Sequence, residues 1–92
     1  RRQVEHEVRA ALIDLNTAES LESATVGRLQ LSERELTEAS ARFRAGLASN
    51  SDVISAQQGL SVAAQEAIES RAATAIARSG LARALGTATA ME

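Results

Sequence analysis

A seven-residue repeat of apolar and small side chains runs through most of this chain and restricts its fold more than any other feature. In the first half, the larger side chains and one acid share a line made of Val8, Leu15, Glu22, Leu29, Leu36 and Phe43. A second line, offset by three residues, is made of Val4, Ala11, Ala18, Thr25, Ser32 and Ala39. Two such lines form one stripe along an α-helix. The repeat therefore predicts a long first helix over residues 1–45.

The second half repeats the design with smaller residues. One line comprises Val53, Leu60, Ala67, Thr74 and Leu81, and the other comprises Ala56, Ala63, Ser70, Ala77 and Ala84. Small side chains at the seam let two helix axes approach closely. We predict an all-α fold, an antiparallel two-helix coiled-coil hairpin, with the second helix over residues 52–86. Gly86 predicts the end of that helix, and residues 87–92 are predicted to be a frayed or extended tail.

The stretch "RFRAGLASNSDVISAQ", residues 42–57, interrupts the helical pattern without a proline. Gly46 suits the left-handed position that follows a helix, with Leu47 folding back to staple the last turn. Ser49 and Asp52 have the spacing of a capping box, in which Ser49 is the N-cap of the next helix and Asp52 reaches back to it. Residues 46–51 are therefore predicted to be the turn of the hairpin.

The composition argues against several kinds of site. The formal net charge is −2, and the arginines are dispersed among the acids, so nucleic acid is not an expected partner. The chain contains no cysteine, and its single histidine, His6, has no other metal-binding side chain one helical turn away. We find no Ser-His-Asp arrangement and no glycine-rich phosphate loop. We therefore expect that the protein is not an enzyme. We expect it to have no catalytic residue and to bind no metal and no cofactor.

Large apolar side chains also lie outside the two seams. They are Leu12, Ile13, Leu21, Val26 and Leu31 in the first half, and Ile54, Ile68, Ile76 and Leu85 in the second. A hairpin covers one stripe on each helix, so these side chains need further helices beside them. We predict that the isolated chain is a homo-oligomer. The chain has no apolar h-region of a signal peptide and starts within the helical repeat, as an excised fragment would.

The order of these signals resembles the repeat of TolC-like outer-membrane efflux proteins. The resemblance begins at "VEHEVRAALIDLNTAES" and covers nearly the whole chain. Its most specific part is Phe43 followed by Gly46, then Asp52-Val53 and Ala56-Gln57, and it closes with "LARALG". The closing motif suggests the second, C-terminal repeat of such a protein.

The resemblance implies a role in efflux or type I secretion. Members of that family are trimers, and their helical hairpins form a periplasmic tunnel beneath a barrel in the cell outer membrane. It implies that the hairpin tip docks a periplasmic adaptor (membrane fusion) protein, which joins the channel to an inner-membrane pump. The tip residues would be Phe43, Gly46, Leu47, Ala48, Asp52 and Val53. Asp52 would also pair with Arg42 or Arg44 of a neighbouring chain to form a gate.

A second reading stays open, that of a soluble coiled-coil scaffold or an adaptor-type hairpin without a duct. The apolar side chains outside the seams discriminate between the two readings. A tunnel stave needs neighbours on both sides, whereas a free-standing hairpin does not.

Overall fold

The computed structural model describes residues 2–91, which form two long helices. Helix α1 spans Arg2–Arg44 and helix α2 spans Asn50–Met91. The predicted fold class, an all-α helical hairpin, is confirmed. Of the predicted segments, only Arg1 and Glu92 lie outside the described residues.

The largest difference between the predicted and observed helix bounds is at the C-terminal end of α2. Helix α2 continues through Gly86 to Met91, so the predicted stop at Gly86 is wrong. A glycine ends a helix when it takes a positive φ, and among the described residues only Gly46 does so. The hydroxyls of Thr87 and Thr89 donate to the carbonyls of Arg83 and Leu85, one turn back, in keeping with a continuing helix.

The chain divides into two compact units. The first unit comprises Arg1–Glu22 and Glu69–Glu92, so it joins the start of α1 to the end of α2. Within it, the Thr74 hydroxyl lies 3.2 Å from the Ala18 carbonyl and 3.1 Å from the Ser70 carbonyl, and donates to both. Arg78 and Glu19 form an ion pair between the two helices at 3.8 Å. A side chain reaches a backbone carbonyl of the facing helix only where the axes are close, as the small residue Ala18 allows.

The second unit comprises Ser23–Ile68 and contains the turn. Here the end of α1 and the start of α2 run antiparallel, since the chain reverses over the few residues between Arg44 and Asn50. Thr25, Ala63 and Ala67 are its buried side chains. Arg28 and Glu66 approach to 3.9 Å across the pair of helices, and both side chains remain about half exposed. Such an exposed pair contributes little to stability, below about 1 kcal/mol.

The observed burial follows the predicted repeat. All members of the two lines on each helix are buried or half-buried, with the exception of Phe43. The most buried positions are small ones, with exposed fractions of 3% for Thr25, 5% for Ala63, 1% for Ala67, 4% for Ser70 and 2% for Thr74. No large side chain of the described residues is fully buried. Close approach of two helix backbones, rather than a core of large side chains, therefore holds each unit together.

The large apolar side chains outside the seams are exposed, as the repeat predicts. They are Leu12, Ile13, Leu21, Leu31, Ile54, Ile68, Ile76 and Leu85, and Val62 is exposed as well. Val26 is half-buried. The hairpin thus covers one stripe on each helix and leaves a second set of aliphatic side chains facing outward.

Candidate functional site at the helical turn

The end of α1 has the hydrogen bonds of a Schellman motif. Gly46 has a φ of +76°, the left-handed conformation predicted for it. The Gly46 amide donates to the Phe43 carbonyl at 3.1 Å, and the Leu47 amide donates to the Arg42 carbonyl at 2.8 Å. These two bonds satisfy carbonyls that the helix itself leaves without partners. Local chemistry therefore fixes where α1 stops.

The start of α2 has the reciprocal bonds of a capping box. The Ser49 amide donates to Asp52 Oδ2 at 3.1 Å, and the Asp52 amide donates to Ser49 Oγ at 3.3 Å. The pairing agrees with the predicted cap, although α2 begins at Asn50, two residues before the predicted start. The Asp52 carboxylate also lies in the first helical turn, where the helix dipole favours negative charge.

Leu47 projects from the turn instead of covering it. Its side chain is 78% exposed, so the predicted staple onto the last turn of α1 is wrong. In a Schellman motif the covering contact is made to the residue five positions earlier, which is Arg42. Arg42 is a charged residue, and its guanidinium forms an ion pair with Glu38 at 3.6 Å. Only the backbone of Leu47 folds back.

The other predicted tip residues divide into exposed and covered ones. Phe43 is 45% exposed, so the line of covered seam residues ends at Leu36, and the seam position that the repeat predicts for Phe43 is wrong. It lies one residue from the end of α1. Gly46 is exposed, whereas Ala48 and Val53 are half-buried. The tip thus presents an aromatic ring, a leucine and an open backbone.

Two of the three residues predicted to form a gate, Arg42 and Asp52, have partners within their own chain. Arg42 pairs with Glu38, and Asp52 accepts the Ser49 amide bond. Arg44 is exposed in the last turn of α1, where a cation is favoured by the helix dipole. To pair with an arginine of a neighbouring chain, Asp52 would therefore have to use its second carboxylate oxygen or give up its bond with the Ser49 amide.

An open groove of about 430 Å³ runs between the two helices just behind the turn. Its lining is Glu35, Glu38, Ala39, Arg42, Ala48, Asp52, Ser55 and Ala56. It brings together three predicted site residues, Arg42, Ala48 and Asp52, with acids that the sequence reasoning missed. The spacing in the sequence indicates that these acids lie together. Glu35, Glu38 and Arg42 are separated by three and four residues, so they share one side of α1. The groove has an excess of carboxylates over arginine.

Comparison with known proteins returned no match: no family model, no curated protein and no solved structure is significantly similar to this chain. Within residues 2–91, neither helix contains a segment of sufficient length and hydropathy to cross a membrane.

Proposed function

We propose that this chain is a periplasmic tunnel segment of a TolC-like outer-membrane efflux or secretion channel. In the parent protein, a homotrimer, it forms part of the wall of a passive exit duct and docks a periplasmic adaptor through the tip of its hairpin. The observation that carries the proposal is the helical hairpin with a tightly closed seam and large aliphatic side chains still exposed on both helices.

The exposed aliphatic side chains favour a tunnel stave over a free-standing scaffold. In the second unit, Leu31 is 50% exposed on α1, and Val62 and Ile68 are each 60% exposed on α2. Exposing several such side chains is unfavourable for a monomer, since each is about half exposed and would gain about 1 kcal/mol from full burial. A stave of a helical tunnel has neighbouring helices on both sides, and these would cover such positions.

The shape of the turn supports docking at the tip. Gly46 has no neighbouring atom within 4 Å of the position where a Cβ would stand, so a partner can approach its backbone freely. Leu47, at 78% exposure, offers an apolar contact beside it. Burying an exposed apolar side chain in an interface is favourable in proportion to the area removed from water. An adaptor hairpin would therefore contact Leu47 and the bare Gly46 backbone.

The gate belongs to the same proposal. Asp52 from each hairpin would pair with Arg42 or Arg44 of a neighbour and narrow the entrance. Single exposed pairs are weak, below about 1 kcal/mol, so the latch needs a ring of them. Adaptor binding would then spread the tips or hold them open.

Single-channel recording of the intact parent protein in a planar lipid bilayer tests this function. We expect discrete conductance steps, and a higher conductance for Asp52→Ala because the ring of pairs is lost. A soluble scaffold would give no conductance at all. Unchanged conductance in a trimeric Asp52→Ala variant would remove the gate while leaving the duct in place.

A further inference from the structure

We draw no further inference here: the strongest candidate, the acid-rich groove of Glu35, Glu38 and Asp52 between the two helices behind the turn, belongs to the tip already described, and no second feature of the described residues points to what would occupy it.

Discussion

Replacing Gly46 by alanine should destabilise the hairpin through backbone strain alone. A Cβ at Gly46 meets no atom within 4 Å, so the substitution creates no steric clash with the rest of the chain. Its φ of +76° is nevertheless a conformation that costs an L-residue about 1–2 kcal/mol. Alanine also restricts the unfolded chain, which offsets about 0.4–1 kcal/mol of that cost. We therefore expect a net loss of about 1 kcal/mol in the free energy of unfolding.

Gly27→Ala provides the control with the opposite sign. Gly27 lies within α1, and a Cβ there also meets nothing within 4 Å. Alanine in a helix interior gains up to about 1 kcal/mol over glycine. The two Gly→Ala variants should therefore differ by about 2 kcal/mol. Gly46→Asn should lose less than Gly46→Ala, because asparagine tolerates the left-handed conformation.

Urea unfolding followed by far-ultraviolet circular dichroism measures these differences. The protein concentration must be held constant, since association contributes to the apparent stability. Unchanged m-values would show that the extent of unfolding is the same in all variants. The reasoning is refuted if Gly46→Ala is as stable as the wild type or more stable, because the turn would then not require the left-handed residue.

Five further single substitutions test the cap and the seam by the same unfolding measurement. Ser49→Ala and Asp52→Ala should each cost about 1 kcal/mol, and the double variant should cost less than their sum, because both remove one reciprocal cap. Additive losses would contradict the capping box. Ala67→Leu should cost about 1–3 kcal/mol by overpacking the close approach of the helices, whereas the exposed Ala72→Leu should change stability by less than about 0.5 kcal/mol. Thr74→Val should cost about 1 kcal/mol through loss of the bond to the facing helix, and a neutral effect would make that bond dispensable.

The heptad pattern predicts the seam well, because the seven-residue spacing alone decides which side chains of each helix face the other helix. Ala67 and Thr74 occupy seam positions, and both are almost fully buried. The caps are equally local, since the bonds of Gly46, Ser49 and Asp52 join residues close in the chain. Such features need no knowledge of distant parts of the fold.

Features for which the same residues are compatible with two local structures, or which depend on side chains from both helices, are harder to predict from the sequence. Gly86 is compatible both with a helix stop and with a continuing helix, because a glycine ends a helix only when it takes the left-handed conformation. Leu47 has the right position for a staple, but Arg42 stands where its apolar partner would be. The groove behind the turn combines side chains from both helices, so it depends on how Glu35 and Ser55 are brought into register.

The docking role of the tip is tested most directly by photo-cross-linking in the intact protein. A photoreactive amino acid in place of Leu47 should form an adduct with the periplasmic adaptor, and Gly46→Trp should abolish it by blocking the open backbone. Ile76 is the matched control site, because it is 73% exposed against 78% for Leu47 and lies far from the turn in the sequence. We expect no adaptor adduct from position 76. Equal adduct yields at both positions, or an adduct that persists with Gly46→Trp in a folded protein, would contradict docking through the tip.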